Sequence, residues 1–173
     1  PVLKDVSFHA AAGESIALVG PTGAGKSTIV NLVSRFYNIK SGKVLIDDFD
    51  IAKATLKSIR SQMGIMLQDT FIFSGTIMEN IRYSKLDATE EEVIAAAKTV
   101  YAHDFIESLP DGYNTMVEER GATFSQGQRQ LIAFARAILA DPDILILDEA
   151  TSSIDTETES LLQKGLEELL KGR

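Results

Sequence analysis

Gly20-Pro21-Thr22-Gly23-Ala24-Gly25-Lys26-Ser27-Thr28 follows the apolar run Ile16-Ala17-Leu18-Val19 and precedes Ile29-Val30-Asn31-Leu32-Val33, whose spacing is helical. The order strand, glycine loop, helix, with Gly20 and Gly25 bracketing four residues ahead of Lys26 and Ser27, is the Walker A phosphate-loop pattern. Glycines let consecutive backbone N–H groups turn inward around a phosphate chain, because no Cβ blocks the approach. Lys26 can then reach the β- and γ-phosphates and Ser27 can hold a magnesium ion. The N-terminus of the following helix adds partial positive charge to the same anion site.

Composition bounds what can surround this loop. At 173 residues the chain has room for one substantial core, or a core carrying an inserted subdomain. Hydrophobic content of 45% fits a globular protein. No apolar run approaches the roughly eighteen residues of a membrane span; the longest candidate, at 130–139, is interrupted by Arg136. The chain as given is therefore expected to be soluble. A net charge of −8, from 25 acids and 17 bases, disfavours a broad nucleic-acid footprint, which rests on basic patches. The absence of cysteine excludes disulfides and thiolate metal sites and fits a reducing compartment. The chain opens on Pro1-Val2-Leu3-Lys4 and stops at Lys171-Gly172-Arg173, the expected ends of a piece cut from a longer polypeptide.

Outward from the loop, residues 2–8 alternate as a half-buried strand, and Ala12-Gly13-Glu14 turns the chain into the Walker A strand at 16–19. The loop's helix is expected from 26 to 37 and a further strand at 43–46. Asp47-Asp48-Phe49-Asp50 reads as a solvated turn, since a calcium loop would also need Gly and a distal Glu at set offsets. A short helix at 56–61 leads to a buried strand at 64–67 that ends in Gln68. From 69 to 136 the texture is helical without intervening strands. Thr89 and Glu92 form a capping-box pair ahead of a helix to 101, and Ser125 and Gln128 form another ahead of a helix to about 140, which Asp141-Pro142-Asp143 ends. Ile144-Leu145-Ile146-Leu147 is a buried strand of the parallel-sheet kind, and 156–171 is an amphipathic helix. His9 and His103 have no ligand partners at useful spacing.

The strand 144–147 runs into Asp148-Glu149, the Walker B arrangement followed by a second acid. At the C-terminal edge of a parallel sheet Asp148 can hold magnesium, while Glu149 can orient and polarise an attacking water as general base.

Taken in order, residues 20–28, Gln68, Phe124-Ser125-Gln126-Gly127-Gln128-Arg129-Gln130, Leu147-Asp148-Glu149-Ala150-Thr151 and Ser152-Ser153-Ile154-Asp155 resemble the nucleotide-binding domain of an ABC transporter over essentially the whole chain. The family's signature segment reads Leu-Ser-Gly-Gly-Gln; Phe124 and Gln126 depart from it, and Ser125, Gly127 and Gln128 are retained. The resemblance implies an α/β fold: a RecA-like P-loop NTPase core with a parallel sheet, a small antiparallel β layer and an inserted helical subdomain. The division would be 1–68 for the first part of the core with the β layer, 69–136 for the helical subdomain with the signature, and 137–173 for the second part of the core with Walker B and the D-loop.

The same resemblance implies that ATP is bound by Gly20, Pro21, Thr22, Gly23, Ala24, Gly25, Lys26, Ser27, Thr28 and Gln68, with Mg2+ held by Ser27, Gln68 and Asp148 and with Glu149 catalytic. Ser125, Gln126, Gly127 and Gln128 would contact ATP held by a second such domain, in a head-to-tail homo- or heterodimer around two Mg-ATP, and Asp155 would be the D-loop aspartate. Thr115-Met116-Val117-Glu118-Glu119-Arg120-Gly121 and Gln68-Asp69-Thr70-Phe71-Ile72-Phe73-Ser74-Gly75-Thr76-Ile77 look like exporter sequences. In that setting residues 71–73 would receive a coupling helix from a transmembrane domain of the same transporter, at the cytoplasmic side of the cell membrane. The family's adenine-stacking aromatic and its switch histidine would lie beyond the two ends, so the fragment alone is expected to be a weak ATPase. The alternative is a soluble ABC-type ATPase acting on nucleic acid or ribosomes, for which coiled coils or basic arms would be needed.

Overall fold

The computed structural model describes residues 3–66, 70–118, 123–147 and 156–171, with backbone only at 156 and 157. It divides into two compact units, the first reaching Met63 and the second running Gly64–Lys171.

In the first unit the glycine loop feeds α1 (Lys26–Val33). The helix is shorter than the expected span to 37 because Arg35 adopts φ 54°. This turns the chain into a Schellman-type ending, in which Arg35 N–H donates to Leu32 O (3.1 Å) and Phe36 N–H to Asn31 O (2.8 Å). Strands β1 (Leu45–Ile46) and β2 (Phe49–Asp50) form an antiparallel hairpin. Its two central residues, Asp47 and Asp48, lie at φ 48° and 65°, as a type I′ turn requires. The acid cluster is thus turn chemistry, and Asp50 caps the following 3-10 turn by accepting from Ala52 N–H at 2.9 Å. Helix α2 (Leu56–Arg60) is capped by Thr55.

Two strand expectations fail here. Residues 2–8 and 16–19 carry no ladder among the described residues, and Val6, Phe8, Ile16 and Val19 are exposed, Val19 at 91%. Apolar alternation specifies a strand's register only when one face is buried against a neighbour, and these segments have no such face.

The second unit begins with β3 (Met63–Met66), which shares a sheet with β6 (Ile144–Leu147). Between them come β4 (Gly75–Thr76), α3 (Ile77–Arg82), α4 (Glu90–Thr99), α5 (His103–Glu107), β5 (Met116–Val117) and α6 (Gln126–Ala140); α7 (Thr156–Leu170) follows β6. The short β4–β5 antiparallel pair is a small correction to a stretch expected to hold helices alone. Three helices start on reciprocal capping boxes, Thr76 with Glu79, Thr89 with Glu92, and Ser125 with Gln128. Their apolar faces meet in one core around Ile77, Ile81, Val93, Leu131, Ile132 and Phe134. Helix α7 packs closely on α6 because residue 165 is glycine: a Cβ there would lie 3.1 Å from Val100 O and 3.2 Å from Phe134.

Candidate functional site: phosphate loop and signature helix

The phosphate loop takes shape from its glycines. Gly23 (φ 83°) and Gly25 (φ 102°) occupy backbone conformations that L side chains rarely adopt. Ala24 N–H closes onto Pro21 O at 3.1 Å, and Ile29 N–H makes the first α-helical bond to Gly25 O at 3.0 Å. Gly25 is the N-cap and offers no side chain, so the opening N–H groups of α1 are left for something else to satisfy. Lys26 folds back over the loop, its Nζ donating to Gly20 O (2.7 Å) and Pro21 O (3.3 Å). Ser27 stands exposed in the same first turn. Free helix-end donors, a cation anchored on the loop and an adjacent hydroxyl make a site for a phosphate chain with its counter-cation.

The far end of α1 is pinned. Arg35 donates to Ile51 O (2.9 Å) and Ala54 O (2.6 Å), and Arg60 donates to Ser34 O (3.4 Å) and Arg35 O (3.1 Å) while lying 4.5 Å over the Phe36 ring. Two guanidinium groups at a helix C-terminus also complement its negative pole. The loop is therefore mounted on a helix fixed from behind.

The signature segment lies in the second unit. Ser125 Oγ accepts from Gln128 N–H (3.2 Å) and Gln128 Oε1 accepts from Ser125 N–H (3.0 Å). Phe124 is buried and its carbonyl accepts from Arg129 at 2.6 Å; Gly127 is buried, and Gln126 is half-exposed at the first helical position. Ser125 is exposed, and its hydroxyl proton is not used by the capping box. Gln68, Asp148, Glu149, Asp155 and residues 119–122 lie outside the described residues. The described chain reaches them at Met66 on β3 and Leu147 on β6, which are adjacent strands.

At residues 71–73 the side chains alternate. Ile72 is fully buried, whereas Phe71 is 52% exposed and Phe73 36% exposed. Phe73 meets Phe71 edge-on at 4.9 Å and Tyr83 at 4.4 Å between ring centroids, giving a small aromatic surface. Beneath it is a residue that the sequence had shown only as a break in an apolar run. The Arg136 guanidinium donates to Asn80 O (2.8 Å), Phe71 O (3.2 Å) and Asn80 Oδ1 (3.1 Å). Burial pulls its pKa below the ordinary arginine value. An arginine on an otherwise core-facing helix was the available signal. Elsewhere, His103 Nδ1 pairs with the Tyr113 hydroxyl at 3.0 Å, a structural role.

A glycine phosphate loop opening a helix, with an α/β core beyond it, defines a P-loop nucleotide-binding protein. The family model "ABC transporter" matches residues 3–152, and the chain belongs to that family, as one of its ATP-binding, ATP-hydrolysing domains. It is 58% identical over 171 residues to the ABC transporter ATP-binding protein YfiC of Bacillus subtilis, covering 99% of this chain and 28% of that protein. It is 51% identical over 173 residues to the fatty acid ABC transporter ATP-binding/permease protein of Mycobacterium tuberculosis, covering 100% of this chain and 27% of that one. The solved structure of a bacterial Atm1-family ABC exporter with ATP bound matches with a TM-score of 0.91 and 45% identity, over 99% of this chain and 30% of that chain. The chain thus spans less than a third of the length of these relatives. No helix among the described residues is long and apolar enough to cross a membrane.

Proposed function

We propose that this chain is the ATPase motor of an ABC exporter, working at the cytoplasmic side of a membrane on transmembrane domains of the same polypeptide. The observation that carries it is the phosphate loop, with two left-handed glycines, an N-terminus of α1 without a side-chain cap, and Lys26 arched over the loop carbonyls. In this reading the motifs divide the work among residues 1–68, 69–136 and 137–173. The likeness to an exporter structure with ATP bound and to ATP-binding/permease proteins supports the transport setting.

In this proposal residues 20–28 wrap the phosphates through backbone N–H groups, and Lys26 turns from the loop carbonyls to the β- and γ-phosphates. Ser27, Asp148 and Gln68 hold magnesium, which neutralises phosphate charge. Glu149 accepts the proton of the attacking water. Ser125, Gln126, Gly127 and Gln128 present the start of α6 to nucleotide on a second copy or a paralogous domain, and Asp155 communicates across that dimer. Phe71, Phe73 and Tyr83 form the surface that receives a coupling helix.

The test is a pair of variants in the full-length parent polypeptide. Glu149→Gln is expected to keep ATP binding and lower turnover by roughly 10²–10⁴-fold, the range for loss of a general base. Lys26→Ala is expected to lose binding itself. Parental turnover in the first variant would move the base elsewhere, and unchanged calorimetric ATP binding in the second would overturn the phosphate-loop assignment.

A further inference from the structure

We infer that Arg136 is a positioning residue that ties the signature helix α6 to the aromatic surface of Phe71, Phe73 and Tyr83, so that a displacement of one is passed to the other. This rests on the function proposed above, in which α6 meets nucleotide at its N-terminus and the aromatic surface meets a transmembrane domain.

Arg136 sits in the last third of α6, yet its side chain belongs to the other element. Its three side-chain hydrogen bonds all end on the 71–80 segment, at Phe71 O, Asn80 O and Asn80 Oδ1. Its guanidinium lies 5.4 Å from the Phe73 ring centroid and 5.9 Å from that of Tyr83. In the opposite direction, the Ser84 hydroxyl donates to Arg136 O at 2.8 Å, so backbone and side chain of one residue both bind the 71–84 stretch.

Asn80 completes the connection. It is 2% exposed, and its side chain satisfies both sides of the Phe73 peptide, accepting from Phe73 N–H (2.9 Å) and donating to Phe73 O (2.9 Å). The same amide donates to Thr76 O at 3.0 Å. The chain of contacts is thus continuous from α6 through a planar cation and a saturated amide to the loop backbone and its rings. Neutral carbonyls and rings, rather than a carboxylate, surround the guanidinium among the described residues, so its contacts are directional and not simply a charge pair. Lysine cannot reproduce them: an ammonium has no plane to lay against the rings and no fixed fork to hold two carbonyls.

The experiment is hydrogen-exchange mass spectrometry on the full-length parent polypeptide and its Arg136→Lys variant, with and without magnesium and ATP. In the parent, ATP is expected to slow exchange at 20–33, at 126–140 and at 70–84. In Arg136→Lys, the slowing at 20–33 and 126–140 is expected to persist and that at 70–84 to be lost. Tyr83→Leu changes an exposed side chain and leaves the hydrogen bonds of Arg136 in place; it is expected to weaken the 70–84 response and serves if the arginine variant does not fold. An undiminished 70–84 response in either folded variant, or none in the parent, would overturn the inference. A parent that responds at 20–33 and not at 126–140 would instead refute contact between the signature helix and nucleotide, and no response anywhere would refute ATP binding.

Discussion

Helices α1 and α6 both begin at a motif, and they are built in opposite ways. Helix α1 spans eight residues, none fully buried, and starts on a glycine that gives its first turn no side-chain cap. Helix α6 spans fifteen, with seven buried, and starts on a complete capping box. Burial, not local propensity, supplies most helix stability in a protein, and an uncapped start leaves donors in need of a partner. So α6 is expected to hold without ligand, whereas the start of α1 leaves donors that a bound anion would complete. Under the proposed function, the affinity for nucleotide and the stability of the fold would reside in different helices.

The sharpest break would come from the buried side. Phe134 of α6 is 1% exposed and lies in the core of the second unit, so Phe134→Ala is expected to cost about 3–5 kcal/mol through lost contacts and a cavity. Leu32 of α1 is half-buried, and Leu32→Ala should cost about 1 kcal/mol. Urea unfolding of both variants measures this; equal losses would mean that α1 is supported by a core as extensive as that of α6.

Next comes the affinity side. Lys26→Ala removes the loop's cation and is expected to weaken ATP binding by at least about a hundredfold, on the order of 3 kcal/mol. Because Lys26, among the described residues, donates to carbonyls of its own exposed loop, the melting temperature without ligand should barely move. Calorimetry and thermal melting, run on the same variant, separate the two quantities. A large fall in melting temperature would show that the loop is structural.

The two helices also differ in how far they could be read from sequence. Every box-type helix start carries Ser or Thr followed three residues later by Glu or Gln, and the two identified in the sequence, at Thr89 and Ser125, were found where expected. The box at Thr76 is masked in the sequence by the apolar stretch beside it, which reads as a docking loop. Helix ends were harder. Arg35 and Tyr101 hold left-handed backbone (φ 54° and 61°) where glycine is the usual sign, so the expected helices overran to 37 and 101. The phosphate-loop and signature residues fall in the loop and cap that their motifs implied. The strands expected at 2–8 and 16–19 carry no ladder among the described residues, because a ladder depends on a neighbour that alternation does not specify. Arg136 was seen only as an interruption, since a local window cannot reveal bonds made across 56 and 65 residues.

A smaller effect tests the second unit by pH. The Tyr113 side chain is buried, and desolvation raises its pKa from 10.0 to about 12, with negative charge on Glu107 and Asp104 adding to the shift. The folded state therefore keeps the proton that the unfolded state releases. The resulting stability is fully present below pH 10 and is lost as pH rises toward about 12. Tyr113→Phe is expected to flatten that portion of the pH–stability curve, as followed by urea unfolding at fixed pH values. An unchanged decline would assign the alkaline sensitivity to other groups.

The smallest effect concerns the point where stability and recognition would meet. Ser125→Ala removes the oxygen that accepts from Gln128 N–H at 3.2 Å, and loss of such a cap costs about 0.5–2 kcal/mol. Because seven residues of α6 are buried, the helix should persist, with its first turn frayed and its core intact. The first unit should bind ATP as before, since Ser125 lies on the other unit. What should change in the full-length protein is ATP-induced association of two nucleotide-binding domains, for which the free hydroxyl proton is the proposed contact. Ser125→Gly separates the two roles: glycine is a tolerable N-cap that costs only a few tenths of a kcal/mol, yet it offers no hydroxyl. Equal loss of association in the alanine and glycine variants would place the hydroxyl on the partner's nucleotide. Loss in alanine with full association in glycine would show that Ser125 matters only as a cap, and the likeness between the starts of α1 and α6 as anion sites would then fail.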